Sequence, residues 1–425
     1  MIRNRQVSDP NRDLTRRGLA VFPALAALTV AVLAGGCAAV SSGQPHAAPS
    51  PVSAGSVSAG PVSAGSVSAG AADCAAGGTG PASAAAPLQA IAFTDHDHGW
   101  AAGAGRILAT SDGGRTWTSQ YAGPAVLGQL DFTGTANGWA VGQGTLLRTT
   151  NGGASWTALS EPRLSGHCLP VSSVHFVSPV LGYAIAGSTG AGSTGAGGGQ
   201  LLRTTDGGTS WQPVPGAPAG ARAACFSTAR DGYLGAPGRI WRTTDAGATW
   251  SPAFTEPPAS AGKSAGDTPE LGCAAHGAAW VLFLGSGAAM MHAPYVAYAT
   301  QDGTSWRGVL EEPMLESAIR PKLHLPAGPG SEAGPFSVIS PGAAAFVGYT
   351  PPADGWGAAP LAVATDGGAV LQSEGDIPGI NEPLAAAFLT PAQGWVVGEN
   401  LKAHTFSIEA TTNAGHTWTT QYTAR

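Results

Sequence analysis

The side chains best suited to chemistry in this chain are carboxylates, and many of them recur in one short phrase. The phrase contains Thr or Ser, then Asp or Asn, then a Gly-containing pair, usually another Thr or Ser, and finally Trp. Carboxylates can act as catalytic acids, bases or nucleophiles when two of them face one substrate, so the first question is whether these acids could converge. Its acidic or amide positions are Asp112, Asn151, Asp206, Asp245, Asp302, Asp366 and Asn413.

Each part of the phrase also has a local folding role. An Asp or Asn oxygen accepts backbone N–H groups of the turn that follows it. Gly supplies positive φ without steric cost, and Trp buries a large ring between sheets. We therefore interpret the seven Asp and Asn positions as structural and expect them to lie apart. The accompanying aromatic residues are Trp117, Trp156, Trp211, Trp250, Trp306 and Trp418.

Two other segments match known sequence patterns, one for a metal site and one for a catalytic nucleophile. Residues 95–98 read Asp-His-Asp-His, and two His on one face of an extended segment would reach one metal ion. The equivalent positions of other repeats are polar turns, so we predict a solvated turn, no metal and no cofactor. Residues 262–266 read Gly-Lys-Ser-Ala-Gly, but they lie in a Pro/Ala/Gly-rich insertion rather than at a strand-turn-helix elbow. We predict no catalytic residue.

A second signature precedes most of the Asp phrases. It consists of two aromatic residues seven positions apart, with Gly directly before the second. The first aromatic ends one strand and the second opens the next, while a third strand enters the Asp turn and a fourth begins at its Trp. The aromatic pairs are Phe93 and Trp100, Phe132 and Trp139, Phe176 and Tyr183, Phe226 and Tyr233, and Phe388 and Trp395.

Seven such units predict an all-β fold: a single seven-bladed β-propeller with four-stranded antiparallel blades. The chain contains 63 Gly and 33 Pro, and 11% of its residues are charged, as expected for short strands and tight turns. The units cover residues 86–122, 125–160, 170–215, 221–254, 270–310, 334–375 and 380–423.

The Asp phrase resembles the Asp-box of the BNR-repeat family. In that family the box is structural and remote from any active site. The run from Phe132 to Trp156, with its Gly-Trp-Ala-Val-Gly and Leu-Leu-Arg-Thr-Thr-Asn-Gly-Gly segments, looks like the photosystem II stability and assembly factors and their non-photosynthetic homologues. The resemblance covers residues 86–423. It implies a non-catalytic assembly scaffold, in some relatives a membrane-tethered lipoprotein.

Sialidases, and other glycoside hydrolases or lyases on BNR propellers, are the alternative that the Asp-box suggests. In sialidases three Arg hold the substrate carboxylate. Here Arg148, Arg203 and Arg242 each lie three residues before a box Asp or Asn, a repeated position that indicates a structural role. The Arg-rich patch of the photosynthetic assembly factors is also not evident in this acidic chain, so a photosystem role is not expected.

The amino-terminal residues predict export. Residues 1–37 contain five Arg, an apolar stretch from Leu19 to Leu33 and small residues before Cys37, which resembles a lipoprotein signal with Cys37 as the lipidated residue. An ordinary secretory signal is the alternative. Residues 38–78 are rich in Ala, Ser, Gly and Pro and predict a disordered, flexible linker, followed by the propeller at 79–425. The expected location is the outer face of a bacterial cell membrane, or the medium if Cys37 is not lipidated.

Charge narrows the range of partners. Without residues 1–37 the chain has 15 basic and 24 acidic residues, a net charge of −9. Nucleic acid and anionic lipid surfaces are therefore not expected as partners, and the membrane would be reached through the lipid anchor alone.

Four Cys remain beyond Cys37, and an even count in an exported chain predicts two disulfides with three possible pairings. Cys225 and Cys273 lie in corresponding strands of successive repeats, so we favour that pair. Cys74 with Cys168 then follows by elimination.

The sequence therefore predicts an exported, lipid-anchored, monomeric scaffold that binds a protein or carbohydrate partner at the cell envelope. An enzyme and a purely structural envelope protein are the competing classes. The candidate partner loop is the insertion 310–335, because it adds charged and apolar residues where other repeats have none. Its candidate residues are Glu311, Glu312, Met314, Glu316, Arg320 and Lys322. A simple connector is the alternative interpretation of this loop.

Overall fold

The computed structural model of the chain describes residues 87–142, 144–160, 163–164, 167–168, 171–187, 199–257, 267–285, 293–312, 323–350 and 357–425. These residues form short antiparallel strands joined by tight turns, with single 3-10 turns at Ala275–Gly277 and Asp366–Gly368. The second strand of a repeat is typically buried on both faces, as in Gly182–Ala186, because neighbouring sheets pack on either side of it.

The strands are numbered in chain order, and the seven sequence units are called repeats 1 to 7. The first two repeats contain β1 (Leu88–Phe93), β2 (Gly99–Thr110), β3 (Thr118–Phe132), β4 (Gly138–Gly142), β5 (Thr145–Thr149) and β6 (Thr157–Leu159). A two-stranded ribbon, β7 (Arg163–Leu164) and β8 (His167–Cys168), follows them. Repeat 3 contains β9 (Val171–Phe176), β10 (Gly182–Ala186), β11 (Gln200–Thr204) and β12 (Gln212–Pro213). Repeat 4 contains β13 (Ala223–Phe226), β14 (Gly232–Ala236), β15 (Arg239–Thr243) and β16 (Ser251–Thr255).

The last three repeats follow the same plan. Repeat 5 contains β17 (Thr268–Cys273), β18 (Ala279–Leu284), β19 (Tyr295–Thr300) and β20 (Trp306–Glu311). Repeat 6 contains β21 (Glu332–Ser340), β22 (Ala343–Tyr349), β23 (Ala359–Thr365) and β24 (Val370–Ile377). Repeat 7 contains β25 (Glu382–Phe388), β26 (Gly394–Asn400), β27 (Thr405–Thr411) and β28 (Thr419–Ala424).

The predicted number of blades is wrong. Apart from the ribbon, the described strands form six sheets rather than seven, so the protein is a six-bladed propeller. The reason is β3, which stays extended for 15 residues, pairing with β2 through its first part and with β4 from Leu127 onward. This continuous strand joins repeats 1 and 2 into one six-stranded sheet, while each of the other five sheets holds the four strands of one repeat in chain order.

Successive repeats are held together by aromatic residues, and we call each such contact a seam. In the seam between repeats 2 and 3, Trp139 stacks on Phe176 with ring centroids 3.4 Å apart, and Phe176 meets Trp211 edge to face at 6.0 Å. The same order of rings closes the circle, because Trp395 of repeat 7 stacks on Phe93 of repeat 1 at 3.6 Å. The two aromatic residues of the sequence signature therefore pack across seams.

The Gly before the second aromatic has a steric cause. A Cβ on Gly138 would overlap the ring of Phe132, and one on Gly394 would overlap the ring of Phe388. Each Gly lies opposite its Phe in the antiparallel ladder, so the Phe ring lies flat over the neighbouring strand. The spacing of the signature thus follows from close packing within one repeat.

Cys225 and Cys273 form a disulfide with a Cα–Cα distance of 5.5 Å, which is the pair that the sequence favoured. It links β13 to β17, the first strands of repeats 4 and 5. The second predicted pair lies outside the description, since Cys74 is not among the described residues and only the backbone of Cys168 is.

Candidate binding site in the central channel

The first strands of the repeats surround a central channel. Its larger cavity, with a volume of about 770 Å³, is lined by residues of β1, β3, β9, β13, β17, β21 and β25. A second cavity of about 510 Å³ lies where β1, β3, β21 and β25 end. The channel is thus the place where side chains from all seven repeats converge.

Several polar side chains of the channel wall hold neighbouring repeats together. The Gln129 amide forms two hydrogen bonds with the backbone of Val174, donating to its carbonyl at 2.9 Å and accepting its N–H at 3.0 Å. His175 Nε2 donates to the carbonyl of Phe226 at 2.7 Å. These side chains extend the hydrogen bonding of one inner strand to the next.

Asp131 belongs to the same system. Its carboxylate accepts the N–H of Phe176 at 2.6 Å, joining β3 to β9. Burial raises the pKa of Asp131, and the nearby His175 opposes that rise. Asp131 also borders the second cavity, whose other lining residues are largely apolar.

Glu270 differs from these groups. It projects from β17 into the larger cavity, and the surrounding walls desolvate the carboxylate and raise its pKa to about 7. Arg222, just before β13, lines the same cavity. The described lining of this cavity therefore contains one carboxylate, on the inner strand of repeat 5, and one guanidinium group, directly before the inner strand of repeat 4.

The Asp-box residues lie away from the channel. Within the described lining of the two channel cavities, none of the seven box Asp or Asn residues is present. In the box of repeat 3, Thr204 Oγ1 donates to Asp206 at 2.8 Å and accepts the N–H of Gly208 at 2.9 Å. Asp206 in turn accepts the side-chain hydroxyl and the N–H of Ser210, and these bonds lower its pKa to about 2. The Asp206 carboxylate thus forms its hydrogen bonds within its own turn.

The other boxes repeat this arrangement with small changes. Asp112 and Asp245 also have a pKa lowered to about 2, in each case mainly by the Thr hydroxyl four residues later. Asn151 and Asn413 make the equivalent bonds through their amides, and Asp302 accepts two backbone N–H groups. Asp366 differs, since it lies in a 3-10 turn at φ 51°.

The boxes also take part in the seams, a role that the sequence did not reveal. Trp139 Nε1 donates to the carbonyl of Gly207 in the next box at 2.9 Å. Arg148 lies over the ring of Trp139 at 5.7 Å and donates to the carbonyl of Asp206. Trp100 and Trp395 make equivalent bonds to the boxes of repeats 2 and 1. The only hint in the sequence was the repeated spacing of Arg and Trp.

Most of the box Trp rings pack edge to face against another aromatic ring. Trp117, Trp156, Trp211 and Trp250 each contact the Phe of their own repeat with centroids 6.0–6.3 Å apart. Trp306 contacts Tyr233 of the preceding repeat instead, at 6.0 Å, and Trp418 packs against the core between repeats 6 and 7.

The candidate partner loop is only partly described. Glu311 and Glu312 are buried, and the Glu311 carboxylate accepts the N–H groups of Leu323 and Leu325 at 2.8 and 3.1 Å. Glu311 therefore anchors the returning chain of the insertion, and Glu312 is buried beside it. Met314, Glu316, Arg320 and Lys322 lie outside the described residues, as does Cys37.

The Asp-His-Asp-His segment forms a turn closed by Asp95. One oxygen of Asp95 accepts the N–H groups of Asp97 and His98, and His98 Nδ1 lies 2.9 Å from the same oxygen. Across the described ranges, no three His, Cys, Asp or Glu side chains are grouped so as to hold a metal ion. Nor does the described part of the chain contain a helix long and apolar enough to cross a membrane.

The fold and the boxes define the chain as a BNR-repeat β-propeller, which confirms the family resemblance noted in the sequence. Residues 83–179, about a quarter of the chain, match the family model described as "Photosynthesis system II assembly factor YCF48". No curated protein sequence matches the chain.

Solved structures resemble this chain at low identity. A structure described as "YCF48 bound to D1 peptide" is 19% identical over 74% of this chain and 91% of that one, with a TM-score of 0.48. The GH74 xyloglucanase from Xanthomonas campestris is 15% identical over 79% of this chain and 54% of that one, with a TM-score of 0.53. The GH74 enzyme from Niastella koreensis is 12% identical over 78% of this chain and 53% of that one, with a TM-score of 0.51. The chain thus spans about half the length of these GH74 proteins, and the likeness to them shows the fold alone.

Proposed function

We propose that the chain is a non-catalytic binding scaffold that takes part of a protein partner at its central channel. The observation that carries this proposal is that the polar residues of the boxes and those of the channel have different roles. The box carboxylates are occupied by their own turns, whereas the channel gathers side chains from every repeat around a cavity of about 770 Å³. A concave site with a few converging polar groups is the usual form of a binding pocket.

The carboxylates of the channel argue against glycoside hydrolysis. That reaction needs two carboxyl groups about 5–9.5 Å apart on either side of a sugar. In the described lining of the larger cavity the only carboxylate is Glu270, and Asp131, at the second cavity, already accepts the Phe176 N–H. The described linings of these two cavities therefore offer the glycosidase alternative no pair of unoccupied carboxylates.

A protein segment is the partner we favour. The family model that matches residues 83–179 is named for an assembly factor, and assembly factors act on proteins. The charge of −9 beyond residue 37 disfavours nucleic acid. A carbohydrate partner is the alternative that the experiment below distinguishes.

The location we propose is the outer face of the cell membrane, with Cys37 lipidated and residues 38–78 as the tether. The support is the sequence of residues 1–37, with its basic start, apolar stretch and small residues before Cys37. We expect Cys37→Ser to move the protein from the membrane fraction to the soluble extracytoplasmic fraction. Unchanged membrane association of this variant would contradict lipid anchoring.

Site-specific photocrosslinking tests the channel as the binding surface. Gly128 lines the cavity, and a Cβ there would have no heavy atom within 4 Å, so a benzoylphenylalanine at this position should be tolerated. We expect it to yield a discrete protein adduct in intact cells, which Glu270→Arg weakens. The same probe at exposed Thr209, in a box turn, should yield none.

Two outcomes would contradict the proposal. One is the same set of adducts from both probe positions. The other is release of reducing sugar from xyloglucan or a sialoside by the purified protein, abolished by Glu270→Gln. A carbohydrate ligand that binds without being cleaved would instead appear as protection of the Gly128 probe by that glycan.

A further inference from the structure

The seam between repeats 4 and 5 lacks a residue that most other seams possess. Phe176 and Phe226 lie opposite Gly182 and Gly232 in their ladders, and in repeat 5 the same ladder position pairs Cys273 with Ala279. Cys273 thus occupies the place of the Phe that a Trp or Tyr of the preceding repeat stacks on. Tyr233 has no such Phe to stack on and meets the edge of Trp306 instead.

The other half of the disulfide occupies an equally regular place. In other seams, the residue directly before the signature Phe forms a hydrogen bond to the backbone of the corresponding Phe in the next repeat. Asp131 accepts the N–H of Phe176, and His175 donates to the carbonyl of Phe226. Ser337, near the end of β21, likewise accepts the N–H of Phe388 at 3.0 Å. Cys225 directly precedes Phe226 and bonds to Cys273. The disulfide therefore stands where other seams have one hydrogen bond.

The disulfide lies on the wall of the channel. Both Cys225 and Cys273 line the larger cavity, and Cys273 is only half-buried although Cys225 is 3% exposed. A small dithiol that enters the channel would meet the disulfide at Cys273, its less buried half. Attack there is the first step of thiol–disulfide exchange.

We propose that the Cys225–Cys273 disulfide is a redox latch of the ring, whose reduction by a small dithiol loosens β13 from β17. In this reaction the S–S bond breaks and each Cys sulfur gains one electron and one proton, while the two thiols of the reductant form their own disulfide. The repeat 4/5 seam then has neither the covalent link nor the stacked Phe. The inner strands of this seam open locally while the rest of the ring stays closed.

Hydrogen exchange measured by mass spectrometry on the full-length protein tests the latch. After treatment with dithiothreitol, and peptide mapping that shows Cys225 and Cys273 as free thiols, we expect exchange in peptides covering β13 and β17 to accelerate at least about tenfold. Peptides covering β1 and β25, at the repeat 7/1 seam, should keep their rates. Equal acceleration around the ring, or none, would overturn the proposal, as would a disulfide that dithiothreitol cannot reduce in the folded protein.

Two variants serve as matched controls. Cys225→Ser with Cys273→Ser should show the fast exchange in β13 and β17 without reductant and should not respond to dithiothreitol. Cys225→Asp with Cys273→Ala copies the Asp131 link by offering a carboxylate to the N–H of residue 273. This variant should restore slow exchange at the seam in the presence of reductant. If it exchanges as fast as the double Ser variant, although it folds, the equivalence of the two links is wrong.

Discussion

The repeat 2/3 seam and the repeat 4/5 seam share their outer half and differ in their inner half. In the outer half Arg148 donates to the carbonyl of Asp206, and Arg242 likewise donates to that of Asp302 at 2.8 Å. The aromatic partners of these Arg residues also donate to a backbone carbonyl, Trp139 to Gly207 and Tyr233 to Gly277. The outer half of these two seams thus depends on the boxes and their neighbouring turns.

The inner halves of these seams are closed by different means. The repeat 2/3 seam has a stacked Phe176 and the Asp131 hydrogen bond, whereas the repeat 4/5 seam has a disulfide. A buried aromatic ring stabilises by removing a large apolar surface from water, whereas a disulfide acts mainly by restricting the unfolded chain. The comparison teaches that the inner half of a seam can be closed either by an aromatic ring with a hydrogen bond or by a disulfide, while the ring of repeats is kept.

Removing the stacked ring should give the largest effect. Phe176 is 4% exposed and touches both Trp139 and Trp211. We expect Phe176→Ala to lower the free energy of unfolding by about 3–5 kcal/mol, because a large cavity replaces the ring. Guanidinium unfolding followed by Trp fluorescence measures the loss. Phe176→Leu should lose clearly less, and equal losses for the two would show that stacking is not what holds this seam.

Removing the disulfide should cost less than removing the ring. The two Cys are 48 residues apart, and we expect Cys225→Ser with Cys273→Ser to lower the free energy of unfolding by about 2–4 kcal/mol. When both proteins are unfolded in dithiothreitol, the wild type should match the variant. A loss larger than that of Phe176→Ala would reverse the ranking of the two seams.

The sequence predicted the local features of this fold well. Thr204, Asp206 and the following Gly residues specify their turn through contacts within five positions, so the motif alone is sufficient to predict it. The Cys225–Cys273 pair was also accessible, because both residues lie in corresponding strands. Short-range turn chemistry and repeat equivalence need no knowledge of the rest of the ring.

Features that depend on neighbouring repeats were missed. The predicted units left Gly123 and Pro124 as a link between two sheets, yet the chain stays extended there and β3 joins them. Glu311 was named as a candidate partner residue, and nothing in the sequence indicated that its carboxylate accepts backbone N–H groups of the returning loop. Glu270 shows no pattern in the sequence, because its position in the channel results from closure of the whole ring.

The boxes support the outer half of both seams, so disturbing one should have a moderate effect. Thr204 is 1% exposed, and its hydroxyl accepts the buried N–H of Gly208. We expect Thr204→Val to lower the free energy of unfolding by about 1–3 kcal/mol, because that donor loses its partner. Thr365→Val is the matched control in the box of repeat 6, where the Thr hydroxyl makes no capping hydrogen bond to the turn, and it should change the free energy by less than about 0.5 kcal/mol. Similar losses for both would remove the turn bonds as the cause.

The smallest expected effect concerns Glu270, on the inner strand of the disulfide seam. Its pKa is raised to about 7 by desolvation, so the folded protein binds a proton more readily than the unfolded chain. The charged form therefore costs stability above pH 7, and that cost disappears as pH falls towards the ordinary pKa of Glu. Because the side chain is open to the cavity, we expect Glu270→Gln to raise the melting temperature at pH 8 by only on the order of 1 °C, with no gain at pH 4.

The matched variant on the other seam should behave differently. Asp131 also has a raised pKa, but its carboxylate accepts the Phe176 N–H across the repeat 2/3 seam. Asp131→Ala should therefore lower the melting temperature at both pH values, since a backbone donor loses its partner. Scanning calorimetry of both variants at pH 4 and pH 8 separates the two cases. A gain in stability for Asp131→Ala at pH 8 would mean that this hydrogen bond does not hold the seam, and a loss for Glu270→Gln would mean that the carboxylate has a stabilising partner in the channel.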